Sequence, residues 1–258
     1  TGADDQVLFH CLGHWRVCEG FHDLIFHPRV TVPCAQLLYI DSQRHYAGND
    51  NHRVDHTDHV NKNDHEYLDE YDEVCVRFWH DQLFGKPPNC GGNVAWHQDY
   101  SYWTRTHPMQ HITCHIALDK QTEENGAIAY VPGSHEWYRT DEHGEILPLP
   151  ITDQHFISMD SIFDTLTEQE KHKWNVQVCE LEPGHAVFHH PLTVHGSYPN
   201  RSKQARRACV LNYFKDGTYS NTNEPLLAGM PVVPKGHKLQ TVFNPIVYDP
   251  IWKDGASK

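Results

Sequence analysis

The sequence predicts a mainly β domain with N-terminal helices packed outside a barrel. Short apolar runs broken by Gly and Pro fill the middle of the chain, which is the pattern of strands joined by turns. Leu8, Leu12, Trp15, Leu24 and Ile25 recur at near-helical spacing at its start, with Gly13 and Gly20 as interruptions. No repeat or interdomain linker divides the 258 residues, a length that can bury a substantial core as one domain over 1–258.

Taken in order, residues 1–40 read as a helical layer running to about Leu38. A polar stretch follows, Asn49 to His65, in which 12 of 17 residues are Asn, Asp or His; without flanking apolar alternation it reads as a solvated loop. An acidic turn at Glu66–Glu73 leads into strands that begin near Val74 and continue to Phe214, the barrel core of 74–214. Residues 136–181 interrupt that core. This is far longer than the usual connection of about 4–6 residues, so it reads as a lid over the metal end of the barrel. It contains a short helix at Thr167–Trp174, started by Thr167 with Glu170 in the capping-box position. The Pro- and Gly-rich part of the tail (215–258) reads as draped over the barrel.

Composition narrows the function. The formal charge is 21 − 34 = −13, which argues against a nucleic-acid surface. No apolar run approaches the ~20 residues that span a membrane, and Asp4 and Asp5 stand where a secretory leader has basic residues. The eight cysteines form no CxxC pair, so they read as reduced, packed thiols of a cytoplasmic or other reducing compartment. A monomer or homodimer acting on a small-molecule substrate is the expectation.

The chemistry lies in His97-x-Asp99 and in His195, 96 residues beyond Asp99, with Arg206 eleven residues after that. Residues two apart on a strand share a face, so His97 and Asp99 can reach one ion while His195 arrives from a distant strand. Two imidazoles and one carboxylate on one octahedral face suit Fe(II) and leave three adjacent positions, two for a bidentate 2-oxo acid and one for O2. An arginine fork suits the far carboxylate of 2-oxoglutarate, and Ser197 stands two beyond His195 to add a hydroxyl. A second pair, His56-x-Asp58, lies in the polar loop without strand-like flanks. His189 and His190 compete with His195 for the third ligand position, but only His195 is followed by Gly-Ser with an arginine at the right offset. Thr113 and His115 share the inward face of a strand, and Tyr100, Tyr102 and Trp103 are placed to wall a substrate pocket. Lys86, before two prolines, reads as a rim lysine.

Lys86-Pro87-Pro88, Trp96-His97-Gln98-Asp99, Asn125-Gly126, Val131-Pro132-Gly133-Ser134-His135, His190-Pro191 and His195-Gly196-Ser197 occur in one order. Together they resemble the phytanoyl-CoA dioxygenase (PhyH-like) family of Fe(II)/2-oxoglutarate oxygenases over about residues 20–215. The resemblance implies a double-stranded β-helix, the cupin-like jelly roll, with metal ligands His97, Asp99 and His195 and with Arg206 anchoring 2-oxoglutarate; Arg207 is the competing choice. It implies that O2 and 2-oxoglutarate are consumed in hydroxylating a C–H bond, with succinate and CO2 released. It also places His115 where members carry a residue near the oxo acid, often Trp or Ser, and a hydrogen bond from His115 to the oxo acid is expected there. The readings from other classes are a non-catalytic metal-binding cupin-like module, which has no need of Arg206 and Ser197, and a non-oxidative zinc cupin with a nearby general base.

Overall fold

The computed structural model describes residues 8–47, 74–89, 92–150 and 159–254. The helical spacing that includes Leu24 and Ile25 yields α1 (Glu19–Ile25) and α2 (Pro28–Ala47), which runs past the expected end near Leu38. Their apolar faces bury Ile25, Val30, Cys34, Ala35 and Leu38. The first part of the predicted helical layer is instead a strand, β1 (Phe9–Leu12). It pairs antiparallel with residues 82–85 of β2 (Val76–Lys86), whose open edge outweighs the chance helical spacing of Leu8, Leu12 and Trp15. Asp81, almost wholly buried, then accepts from the backbone N–H of Gly13 at 2.8 Å and of Trp15 at 2.9 Å and turns the chain into α1. The loop with His56-x-Asp58 and the acidic turn at Glu66–Glu73 lie outside the described residues.

The remaining strands are β3 (Val94–His97), β4 (Thr106–His107), β5 (His111–Ala117), β6 (Ile128–Tyr130), β7 (Arg139–Thr140), β8 (Ile146–Leu147), β9 (Gln177–Val178), β10 (Ala186–His189), β11 (His195–Ser197), β12 (Arg206–Lys215), β13 (Tyr219–Ser220) and β14 (Ile246–Tyr248). The major sheet runs β1-β2-β12-β5-β10, with β14 also on β2; the minor sheet runs β3-β11-β6-β9. The two face each other as a jelly roll. Alternation assigns the faces: Ile112, Cys114, Ile116, Cys209, Leu211 and Tyr213 pack outward under α1 and α2. Thr113, His115, Arg206 and Val210, on the opposite face of the same strands, line the space between the sheets.

The described part of 136–181 packs behind the minor sheet and not across the barrel mouth as the lid reading expects. Trp137, Leu149, Ile162 and Leu166 pack against Trp96, Ala129, Val131 and Val194 on the outside of the minor sheet. The segment's apolar residues find cover there, so its described part braces β3 and β11 from behind. Residues 151–158 lie outside the described residues. The capping box at Thr167 and Glu170 forms as expected, and the helix it starts, α3 (Glu168–His172), is shorter than predicted. The tail is more than draped: β14 joins the major sheet, and Leu226, Val233 and Leu239 pack with Trp79 and Phe214. Among the described residues no helix is long and apolar enough to cross a membrane.

Gln98, between the two candidate ligands, points out of the barrel and fastens the brace. Its Nε2 donates to Leu192 O at 2.7 Å and Trp137 O at 2.9 Å, and its Oε1 accepts from Leu149 N at 2.7 Å. Gln98→Ala strands three buried backbone groups, so it should cost about 2–4 kcal/mol and lower Tm by roughly 5–10 °C. Calorimetry of the two proteins checks this; a shift within 1–2 °C would mean the brace is held by apolar packing alone.

Candidate metal centre

Antiparallel pairing of β3 with β11 places His195 opposite His97, and Asp99 follows at the start of a 3-10 turn (Asp99–Tyr102). The close approach of these strands explains the Gly in the His-Gly-Ser run. A Cβ on Gly196 would stand 2.9 Å from Val94 O and 3.2 Å from the Trp96 ring. Nε2 of His97 and Nε2 of His195 each lie 3.6 Å from Asp99 Oδ1. One donor atom from each of the three residues lies within 4.8 Å of the others.

Both imidazoles have their outer nitrogen occupied. His97 Nδ1–H donates to Ala95 O at 2.8 Å and His195 Nδ1–H to Thr193 O at 2.9 Å, so each Nε2 turns its lone pair inward. Burial, reinforced by neighbouring His97, holds His195 well below its usual pKa and therefore neutral. Burial works against ionisation of Asp99, but the facing imidazoles of His195, His189 and His97 outweigh it and hold the carboxyl well below the usual range. Two imidazole Nε2 atoms and a carboxylate oxygen thus converge on one point. Such a set repels itself unless a cation lies within it, and the residues fit an octahedral 2-His-1-carboxylate ion.

Outside this triad the cavity of about 70 Å³ is lined by Thr113, His115, Ser197 and Arg206, among others. Arg206 is buried while Arg207 is exposed and paired with Asp119 at 2.8 Å, so strand alternation settles which arginine turns inward. An Arg206 Nη2–H donates to Gly126 O, while its Nε and the Ser197 hydroxyl are buried without a hydrogen-bond partner among the described residues. Burial lowers the Arg206 pKa to about 10, which leaves it charged at neutral pH. Gly126, at φ +77°, lets the chain after β11 pass close by, because a Cβ there would stand 2.3 Å from Tyr198 O. Lys86 is not on the rim. It is fully buried and its Nζ donates to Ser197 O at 3.1 Å and to Tyr198 O, fixing the end of β11.

Thr113 and His115 face inward as expected, but both are engaged by the protein. The Thr113 hydroxyl donates to Asp99 Oδ2 at 2.7 Å. His115 Nε2 lies 3.0 Å from Gln121 Oε1, which commits its proton there; the expected donation from this nitrogen to an oxo acid is therefore not available, and burial keeps the ring neutral with a pKa of about 3. His189 is no ligand of the triad: its Nε2 lies 3.0 Å from Asp99 Oδ2 and its Nδ1 3.0 Å from the Tyr130 hydroxyl. His190 pairs with Asp41 on α2 at 3.1 Å. A second cavity of about 380 Å³ shares His97 and Asp99 with the first and is bounded by Tyr102, Trp103 and, from β1 and β2, His10, Gln82 and Phe84. Tyr100, expected in that wall, is in the core instead, its hydroxyl donating to Thr106 O at 3.2 Å. Tyr100 shares that core cluster with Trp103, both rings lying against His111, whereas the more exposed Tyr102 stands against His97. In the sequence Gln98 stands out only as part of the Trp96–Asp99 run, Tyr130 carries no signal, and His189 reads only as a competing ligand.

Residues 27–208 match the phytanoyl-CoA dioxygenase (PhyH) family. The chain belongs to that family. Among its relatives, a protein of Stutzerimonas stutzeri described as a probable alpha-ketoglutarate-dependent hypophosphite dioxygenase is 32% identical over 142 residues, 54% of this chain and 45% of that protein. The peroxisomal phytanoyl-CoA dioxygenase of Homo sapiens is 26% identical over 57% of this chain and 42% of its own length. The chain thus spans less than half the length of these curated relatives. Among solved structures, the non-heme alpha-ketoglutarate-dependent epimerase SnoN from nogalamycin biosynthesis superposes with a TM-score of 0.62 at 17% identity, covering 96% of this chain and 82% of that one. That likeness shows a shared fold.

Behind Trp103, His80 and His111 are buried and neutral, with pKa values pushed down by burial to about 4 and about 3. Their unfolded forms take up protons below about pH 6.5 while the folded ones do not. Stability is therefore full above that pH and falls as the pH drops through about 6.5 toward 4, by up to about 1.4 kcal/mol per pH unit for each histidine. Urea unfolding at pH 7, 6 and 5 should show this, with a shallower decline for His111→Gln. An unchanged slope in that variant would count against a neutral His111.

Proposed function

We propose that this chain carries out Fe(II)- and 2-oxoglutarate-dependent dioxygenation, hydroxylating a C–H bond of a small molecule with release of succinate and CO2. The observation that carries the reading is the buried Arg206–Ser197 pair. A charged guanidinium and a hydroxyl, each with a buried polar atom lacking a partner, share one cavity with a 2-His-1-carboxylate set. Leaving such groups unsatisfied costs about 1–3 kcal/mol each, and the carboxylate of an oxo acid would satisfy both. Neither a non-catalytic metal module nor a zinc hydrolase has a use for that pair.

The residues divide the work. His97, Asp99 and His195 would hold iron, which when bound supplies oxygen activation coupled to oxidative decarboxylation of the co-substrate. Arg206 and Ser197 orient the far carboxylate of 2-oxoglutarate, and the neutral ring of His115 with Val210 and Ile128 walls its chain and excludes water. Tyr102 and Trp103 bound the larger, adjoining cavity that shares His97 and Asp99, the place for the small-molecule substrate. The described cysteines are all free thiols, which supports a reducing compartment.

Purified protein given Fe(II), ascorbate and 2-oxoglutarate should form succinate, and the reading fails if it forms none in the presence of any candidate substrate class. Arg206→Ala should raise the 2-oxoglutarate KM at least about 30-fold, since truncating one partner of a buried charge pair costs roughly 2–5 kcal/mol, and should leave the iron requirement near that of the parent. Equal losses for iron and 2-oxoglutarate would place Arg206 in folding and not in co-substrate binding.

A further inference from the structure

The two oxygens of Asp99 have different surroundings, and the difference decides how many positions a bound metal keeps open. Oδ1 faces both imidazole Nε2 atoms at 3.6 Å. Oδ2 lies 2.7 Å from the Thr113 hydroxyl, nearer than that hydroxyl's other acceptor, Asn212 Oδ1 at 3.0 Å, so the single proton goes to the carboxylate; Oδ2 also contacts His189 Nε2 at 3.0 Å. A carboxylate oxygen has about two lone-pair sites, and these two partners fill both. The ladder builds this clamp. Thr113 and His189 are direct cross-strand partners on β5 and β10, so their side chains meet over the same oxygen.

Tyr130 orients the ring of the clamp. An ionised carboxylate only accepts, so the His189 Nε2 that faces it must carry the proton. On the other side of the ring the Tyr130 hydroxyl lies 3.0 Å from Nδ1 and fixes the ring's orientation. Tyr130 is in turn the register partner of His195 across β6 and β11, so one end of the chain of contacts stands beside a ligand and the other on the ligand carboxylate.

We propose that Thr113, His189 and Tyr130 are positioning residues that hold Asp99 to ligation through Oδ1 alone. The inference rests on the reading that His97, Asp99 and His195 hold a metal, and it goes beyond that reading by assigning the carboxylate's mode of binding. An octahedral ion gripped by two imidazoles and one carboxylate oxygen keeps three positions, which a chelating oxo acid and O2 both need; a two-oxygen grip keeps only two. Removing the clamp frees Oδ2 to take the third.

The test counts waters on Mn(II) bound to the full chain by proton relaxation, with no turnover required. The parent should carry about three exchangeable waters, and about one after 2-oxoglutarate binds. Thr113→Val and His189→Phe should each lower the relaxivity per bound Mn(II) by about a third and abolish the residual water in the presence of 2-oxoglutarate. His189→Gln, which keeps an amide donor toward Oδ2, should restore most of the parent value, and Tyr130→Phe should fall between. Restoration by Gln is a result that a purely packing role for the ring would not give. Parent-like relaxivity in Thr113→Val and His189→Phe overturns the clamp while leaving the metal site standing. If His189→Phe does not fold, Thr113→Val, which is close in shape to the parent residue, decides alone. A parent protein that binds no Mn(II) overturns the metal reading, and the clamp with it.

Discussion

Everything at the centre of this molecule depends on holding three electron-rich atoms at one point in a buried space. Nε2 of His97, Nε2 of His195 and Oδ1 of Asp99 converge, with burial holding His195 neutral and the facing imidazoles holding the carboxyl ionised. In the absence of a cation that arrangement is unfavourable, so the fold must impose it. Backbone carbonyls of Ala95 and Thr193 lock the two rings, and the β3–β11 ladder sets their separation. The cost of placing donors in this way is what gives the centre affinity for a metal when one is present.

The rest of the barrel supports that convergence from several directions. Trp96, Val131 and Val194 on the outer face of the minor sheet are covered by the 136–181 segment, and Gln98 ties that cover to the ligand-bearing turn. At the other end of the cavity Lys86 grips the carbonyls that follow β11, and the missing side chain of Gly126 lets the chain after β11 pass close enough for this. The major sheet contributes the charged and polar wall through Thr113, His115 and Arg206, while its outer face is held by helices α1 and α2. Rigid elements thus supply every group at the site, which is what a metal centre needs if its open positions are to be reproducible.

How much of this was legible in the sequence varies with the kind of signal. The convergence of His97, Asp99 and His195 was readable because HxD on a strand and a distant His-Gly-Ser carry their own spacing, while Arg206 over Arg207 came from the family resemblance, the period of two saying only that the two arginines face opposite ways. Phe9–Leu12 was not, because four residues with near-helical spacing carry less information than the open edge of β2 they happen to meet. The packing of the described part of 136–181 was not legible because length alone says nothing about which face its Trp137, Ile162 and Leu166 will cover. Lys86 and His189 show the same limit. A lysine beside two prolines looks exposed, and a histidine doublet looks like surplus, until long-range pairing supplies the carbonyls and the carboxylate they serve. Local patterns fix what a residue can do chemically; only the ladder register fixes what it meets.

The central claim is that a metal and an oxo acid occupy one site, the first held by the triad and the second by the metal and Arg206 together. Anaerobic calorimetric titration of 2-oxoglutarate into the protein, with and without Mn(II), tests it most directly. The account predicts one-to-one binding to the Mn(II)-loaded protein and affinity at least about tenfold weaker without metal, because Arg206 and Ser197 alone grip only one end of the molecule. Binding of equal strength in both states, or none in either, would contradict it.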